Sequence, residues 1–277
     1  MNPERKRAMK TNVYRVVGGF AVAIGLSLTA CAPFRTGDSS RAADESPVPS
    51  QLPAGNWKLV FQDEFSGTLQ DVDAGWIFQN GPSGHILCSR WRDNASVSNG
   101  VLHLNARKET RAGQAWTAAS LWTRSRFKYG YFECRYRYAK ATGTNNSFWL
   151  MTLEGTGPDK KEGKFEIDIN EGHVPSEINM NVHNWSGKHW AKHTDLVKEG
   201  ADLTETYHLY GLAWDENALV WYFDGQEIRR EPNTICRLPA PVFLSLAVIK
   251  WGGLVTDAID GTSMDVDFVR VYERATP

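Results

Sequence analysis

The sequence predicts an all-β fold, a sandwich of two antiparallel sheets, on three observations. Apolar and polar residues alternate with a period of two along most of the chain. The alternating runs are rich in Val, Ile, Phe, Tyr and Trp, which suit a pleated surface. No long stretch carries a 3.6-residue period, and no repeat of fixed length occurs. The alternating body covers residues 56–274, and roughly 220 residues suit one such sandwich. At 277 residues, 42% hydrophobic and 12% aromatic, the chain is too apolar for a disordered one. Lys+Arg 31 stand against Asp+Glu 32. That balance leaves no basic field, and nucleic acid is not an expected partner. The 11 tryptophans exceed what one core ordinarily needs, so some are expected to stack on a flat ligand.

In chain order, residues 1–30 come first and read as a targeting segment. Arg5, Lys6, Arg7, Lys10 and Arg15 precede an apolar stretch over 16–28 that is too short to span a bilayer comfortably. The stretch ends in Leu28-Thr29-Ala30-Cys31, which resembles the lipobox of bacterial lipoproteins. The bland alternative is an ordinary signal peptide with an incidental cysteine. Charge, length, small residues and the cysteine agree on the lipoprotein. The resemblance implies a lipid on Cys31 and a membrane-anchored protein of the bacterial envelope, at the outer membrane or cell surface. Ala32 in place of Asp does not suggest inner-membrane retention, where the host has two membranes. Residues 31–55 mix Pro33, Pro47, Pro49 and Pro53 with serines and read as a disordered tether. Cys88, Cys134 and Cys236 remain in the exported body. Three is odd, so at least one is unpaired within the chain.

Strand-like runs follow at 101–106, 129–138, 147–153, 165–171, 178–185, 207–214, 218–223, 242–249 and 264–272. Asn99-Gly100, Asp215-Glu216-Asn217 and Asp224-Gly225 separate some of them, and the last reads as a tight hairpin.

The sharpest local feature is Phe165-Glu166-Ile167-Asp168-Ile169-Asn170-Glu171. Phe165, Ile167 and Ile169 share one face of a strand, and Glu166 and Asp168 share the other, about 7 Å apart. Like charges so placed do not stabilise a sheet. Glu171 falls on the wrong face by strict alternation. It joins the other two only if the strand gains one residue near Ile169 or Asn170, a β-bulge. Three carboxylates would then line one groove. Carboxylates about 5 to 5.5 Å apart are the machinery of retaining glycoside hydrolysis, one ionised as nucleophile and one protonated as acid. Two other readings of the strand stand beside this one. It could be a solvated acidic face, or a metal site completed by His173 or His183.

Beyond the strand, the match becomes specific. Glu166-Ile167-Asp168-Ile169-Asn170-Glu171 resembles the bulged E-x-D-x-x-E signature of family 16 glycoside hydrolases, in their laminarinase-like and agarase-like form. Trp57-Lys58-Leu59-Val60-Phe61 and its continuation to Gly67 resemble that family's opening strand. Tyr129-Gly130-Tyr131-Phe132-Glu133-Cys134-Arg135, Ser147-Phe148-Trp149-Leu150-Met151, the run 207–214 leading into Phe223-Asp224-Gly225, and Asp267-Phe268-Val269-Arg270-Val271-Tyr272 resemble later strands, in order. The resemblance implies a β-jelly-roll with a concave substrate groove. By position, Glu166 would be the nucleophile, Asp168 the assisting acid and Glu171 the general acid/base. Departures exist. Gly143-Thr144-Asn145-Asn146-Ser147 replaces the family's frequent Gly-x-W-P-A run, Ala213 stands where Glu is common, and the connection 152–164 is long and charged.

The resemblance also makes Trp149 a floor for the sugar, against plain core packing as the alternative. Trp122, Trp185, Trp190 and Trp251 are weaker subsite candidates. Asn179, Asn181, His183 and Trp185 share one face of the next strand, a polar stripe where a core strand would show aliphatics. His183 is placed to bond a sugar hydroxyl or Glu166, or else serves the structure alone. Arg90, Arg92, Arg124, Arg126, Lys128, Arg135 and Arg137 cluster in sequence. Lining the groove, they would favour an anionic glycan. The stronger expectation is solvated edges and pairing with Glu109 and Glu133.

Together these imply a retaining endo-β-glycanase hydrolysing galactan or glucan, with the Asn145-Asn146-Ser147 style leaning to galactan. One alternative is a non-catalytic glycan-binding envelope lipoprotein. Another is an envelope structural protein with an acidic metal groove. The enzyme reading needs no organic cofactor and no catalytic metal. A structural Ca²⁺ occurs in some relatives, though no loop here specifies one. A monomer is expected.

Overall fold

The computed structural model describes residues 50–275. The expected signal peptide over 1–30, the lipidation site Cys31 and the tether as far as residue 49 lie outside the described residues. Among the described residues, seventeen strands occur in chain order. They are β1 (Trp57–Asp63), β2 (Trp76–Phe78), β3 (Cys88–Arg90), β4 (Ala95–Ser98), β5 (Val101–Asn105), β6 (Trp116–Ala118), β7 (Ser120–Thr123), β8 (Gly130–Arg137) and β9 (Thr144–Met151). Then come β10 (Phe165–His173), β11 (Glu177–Asn184), β12 (Trp190–Val197), β13 (His208–Trp214), β14 (Ala218–Phe223), β15 (Gln226–Pro232), β16 (Val242–Val248) and β17 (Ser263–Arg274). One sheet runs β15-β14-β13-β8-β17-β5-β4, with β1 also paired to the long β17. The other runs β12-β11-β10-β9-β16-β7-β2. Both are antiparallel throughout, and β3 and β6 form a small parallel pair. This is the expected jelly-roll sandwich.

The two sheets close on one apolar core. Phe165 and Ile167 from β10, Phe148 and Leu150 from β9, Leu212 and Trp214 from β13, and Val269 and Val271 from β17 are all essentially inaccessible. Each such side chain contributes roughly 1.5–3 kcal/mol on burial. The nine predicted runs are all strands, most within a few residues of their expected ends. The strands not read from the sequence include the outermost strand of each sheet. β12 (WAKHTDLV) is exposed along most of its length, and β15 (QEIRREP) is mostly polar. Edge strands carry charge and solvent-facing residues as protection against edge pairing, which erases the apolar alternation.

Residues 50–55, which composition places at the end of the tether, rest on the domain. The Tyr131 hydroxyl donates to Gln51 O at 3.3 Å, Trp57 Nε1 to Pro53 O at 2.8 Å and Arg270 Nη1 to Ser50 Oγ at 2.9 Å. Cys88, Cys134 and Cys236 are all buried free thiols.

Candidate active site

The carboxylates sit on β10, in the middle of the seven-stranded sheet. Against β9 the register steps from Asp168↔Trp149 to Asn170↔Phe148, and against β11 from Asp168↔Asn181 to Glu171↔Asn179. One residue is extra on β10 at 169–170. The bulge therefore falls where the spacing of the three acids placed it. Ile169 and Asn170 are both buried, and Glu171 returns to the face that carries Glu166 and Asp168.

Three groups fix the bulge from the core side. The Asn170 amide donates to the hydroxyls of Tyr136 at 2.6 Å and Tyr138 at 2.8 Å, both on the opposing sheet side. Trp221 Nε1 donates to the Asp168 carbonyl at 3.0 Å. Gly172 leaves room for the Tyr138 ring, since a Cβ there would stand 2.2 Å from Tyr138 Cζ. None of these was singled out from the sequence. Asn170 carried the only signal, a polar residue at the expected bulge.

Glu166, Asp168 and Glu171 line one cleft of about 440 Å³ with His85, Asn145, Ser147, Trp149, His183, Trp185 and Trp251. The polar stripe of β11 meets the acids one by one. The Trp185 indole N–H donates to Glu166 Oε2 at 2.8 Å, and His183 Nε2 lies 3.2 Å from Asp168 Oδ2. Asn181 donates to Glu171 Oε2 at 2.9 Å, and Asn179 to the Glu171 carbonyl at 3.0 Å. From the other flank, Asn145 donates to Glu171 Oε1 at 2.6 Å. Glu171 is thus held in one plane by two amides, with about half of its roughly four acceptor sites still available. Asn145 shares a strand face with Ser147 and Trp149 by simple alternation, which is the signal that would have found it.

Trp149 lies in the cleft, stacked on Phe243 (centroids 4.1 Å, 24°), with its N–H on Ser245 Oγ at 3.2 Å. Register carries this row across the sheet, as Asn181, Asp168, Trp149, Phe243 and Trp122 are successive cross-strand neighbours. Trp122 therefore extends the platform beyond the cleft lining. Trp251 lines the cleft and is 57% exposed, whereas Trp190 sits on edge strand β12 opposite Asn184. Among the metal alternatives, His173 is buried against Asn179, and His183 brings a ligating atom within 4.8 Å of those of Glu166 and Asp168. Of the basic cluster, Arg90 lines the cleft but gives Nη1 to the carbonyls of Ala119 and Leu246. Arg92 pairs with Asp73, Arg135 with Asp267 and Arg137 with Asp265, not with the expected Glu109 and Glu133.

Burial, with crowding added to it, raises the affinity of Glu166 and Asp168 for protons. Glu166 is pushed from 4.5 up to about 8, first by burial and then by Asp168, against the opposing effects of His183 and the Trp185 hydrogen bond. Burial, followed by Glu171, also pushes Asp168 well above the ordinary aspartate range. Among the described residues, Asp168 Oδ2 is buried with no hydrogen-bond partner, which adds to the cost of holding a charge there. Glu166 and Asp168 titrate as a pair rather than singly. A carboxyl whose proton affinity is raised by folding favours the folded state at low pH, and this contribution is lost as pH rises towards the folded value. Stability is therefore expected to decline from about pH 4.5 to about pH 8 on account of Glu166. Melting temperatures across that window should fall less steeply for Glu166→Gln. Equal slopes in the two proteins would remove the assignment.

Paired carboxylates facing each other across a cleft are the machinery of a glycoside hydrolase. The chain belongs to the glycosyl hydrolases of family 16, whose model matches residues 84–270. Among curated proteins it is 33% identical over 193 residues to the endo-1,3-1,4-beta-glycanase EglC of Rhizobium meliloti, covering 64% of this chain and 39% of that protein. It is 29% identical over 249 residues to a beta-glucanase of Rhodothermus marinus, covering 79% and 86%. The chain spans 39%, 26% and 39% of the length of three such relatives. Among solved structures it is similar to the laminarinase from Rhodothermus marinus, with a TM-score of 0.71 and 27% identity over 80% of this chain and 99% of that one. It is also similar to the endo-beta-1,3-glucanase from Pyrococcus furiosus, with a TM-score of 0.69 and 28% identity over 80% and 96%.

Proposed function

We propose that this chain is a retaining endo-β-glucanase acting on β-1,3- or mixed β-1,3-1,4-linked glucan, anchored in the bacterial envelope through Cys31. The observation that carries the catalytic reading is the convergence of Glu166, Asp168 and Glu171 on one cleft face through the bulge. The names of the relatives support glucan. The asparagine run that favoured galactan has other duties. Asn145 holds Glu171, and buried Asn146 bonds the Ala139 amide at 2.8 Å and the Gly172 carbonyl at 3.0 Å. It therefore carries little weight for the choice of sugar.

In this mechanism Glu166 attacks the anomeric carbon and forms a glycosyl–enzyme ester while Glu171 gives its proton to the departing glycosidic oxygen. Glu171 then takes a proton from a water whose oxygen attacks the anomeric carbon and releases Glu166. The Trp185 indole N–H stabilises the Glu166 carboxylate. Asp168, its own proton affinity raised by burial, takes the proton that Glu166 gives up on ionising. Trp149 supplies the flat face under the ring.

Incubation with laminarin, lichenan, agarose, carrageenan, porphyran and mucin glycans is expected to release reducing ends from the first two. Proton NMR of the earliest product should show the β anomer, that of the substrate. Release from agarose alone would restore galactan, an α anomer would remove Glu166 as nucleophile, and binding without cleavage would favour a glycan-binding lipoprotein.

A further inference from the structure

We propose that His189, in the loop between β11 and β12, is a positioning residue for the reaction, acting on the carboxylates through His183 and Trp185. The inference rests on the glycanase reading of the cleft given above. His189 does not itself line the cleft, but its ring lies against two residues that do. It stacks on Trp185 with centroids 4.1 Å apart at 20°, and on His183 at 5.4 Å and 14°. The His183 and Trp185 rings are themselves within 9° of parallel. One end of this stack reaches Glu166 through the Trp185 indole N–H at 2.8 Å. The other reaches Asp168 through His183 Nε2 at 3.2 Å. A single loop histidine therefore braces two of the three acids.

The hydrogen bonds give His189 a second duty. Its Nε2 lies 3.1 Å from His183 Nδ1, and one hydrogen must lie between these two nitrogens. His183 faces the Asp168 carboxyl with its other nitrogen, where a donor is favoured over a lone pair. The consistent arrangement has His189 Nε2–H donating to His183 Nδ1, which leaves the hydrogen of His183 on Nε2, 3.2 Å from Asp168 Oδ2 and facing its charge. A partner on one ring nitrogen fixes what the other nitrogen offers. His189 thereby selects the tautomer of His183 that supports Asp168.

The loop is ordered by its own ties, so the placement of His189 is built in. Trp185 N donates to the Lys164 carbonyl at 3.0 Å, Ser186 N to Asn184 Oδ1 at 3.0 Å, and Ser186 Oγ to the Lys161 carbonyl at 3.2 Å. Gly187 makes the turn at φ +66°, a conformation that costs glycine little. Register then resumes at Asn184↔Trp190, which delivers His189 opposite Trp185.

Two variants separate stacking from hydrogen bonding. His189→Phe keeps an aromatic ring over Trp185 and removes the donor. His189→Gln returns an amide N–H near the position of Nε2. On laminarin, kcat of His189→Phe is expected to fall roughly 10- to 100-fold with KM within about threefold, and His189→Gln to recover most of the loss. A wild-type kcat in His189→Phe, a change confined to KM, or no recovery in His189→Gln would overturn the proposal. Nitrogen-15 NMR of the histidines tests it without turnover. His183 is expected as the Nε2–H tautomer in the unaltered protein and as a mixture in His189→Phe. An unchanged tautomer would overturn the proposal even where activity falls. If the unaltered protein cleaves none of the polysaccharides, the glycanase reading fails, and the tautomer measurement alone decides the role of His189.

Discussion

Glu166→Gln is expected to lower kcat by roughly three to six orders of magnitude while oligosaccharide binding persists. The amide is nearly the shape of the carboxylate and still offers an oxygen to the Trp185 indole N–H, so packing and groove shape are kept. It cannot form the ester on which the first step depends. The fold should survive, because Glu166 is crowded against its neighbours as an acid, and a neutral amide relieves that crowding. Stopped turnover together with an intact melting transition is the decisive combination. Undiminished turnover would refute the role outright. Glu166→Ala with added azide sharpens the assignment. The small anion can attack the free face of the anomeric carbon, and a glycosyl azide of inverted configuration is the expected product.

The second large effect is expected at Asn170→Ala, on the core side of β10 and outside the cleft lining. Asn170 is inaccessible, and its amide holds the Tyr136 and Tyr138 hydroxyls. Truncation leaves these buried groups short of a partner and removes the clamp on the extra residue of β10. A loss of about 2–3 kcal/mol, or roughly 4–12 °C in Tm for a domain of this size, is expected. The kinetic effect should exceed what instability explains. Without the clamp Glu171 loses its fixed aim, and kcat at a temperature where the variant is fully folded should drop by about 100-fold. Calorimetry and steady-state kinetics on the same preparation check both. A destabilised variant with full kcat would show that the bulge holds its shape without Asn170.

Much of this arrangement was legible in the sequence, for a definite reason. In β10 a core face and a polar face are separated by strict alternation, so a third acid out of phase can join the others only through a bulge. The stripe Asn179, Asn181, His183, Trp185 was legible by the same parity, and each of its members meets a carboxylate or the backbone beside one. What the sequence hid lies off that parity. Asn170, Gly172, Trp221 and the two tyrosines act through the core, from the opposing sheet or from the bulge itself, and no spacing along one strand shows them. His189 sits in a loop, where no period operates. The strands β12 and β15 escaped notice because edge positions favour charge over alternation. The basic residues misled in one respect, since charge partners across a sheet depend on register, and Asp265 and Asp267 on β17 took the roles expected of Glu109 and Glu133.

The row Asn181, Asp168, Trp149, Phe243, Trp122 crosses the strands at right angles, and every member comes from a different strand. Its two partly exposed members, Trp149 and Trp122, come from separate strands, and either can be exchanged without altering the main-chain ladder. Trp122 touches the row only through Phe243, at 5.6 Å between centroids, so its exchange leaves the main-chain ladder and the acids as they were. For the glycanase proposed above, the partly exposed end of this row is where a single exchange is expected to retune the fit to a polymer at no cost to the ladder.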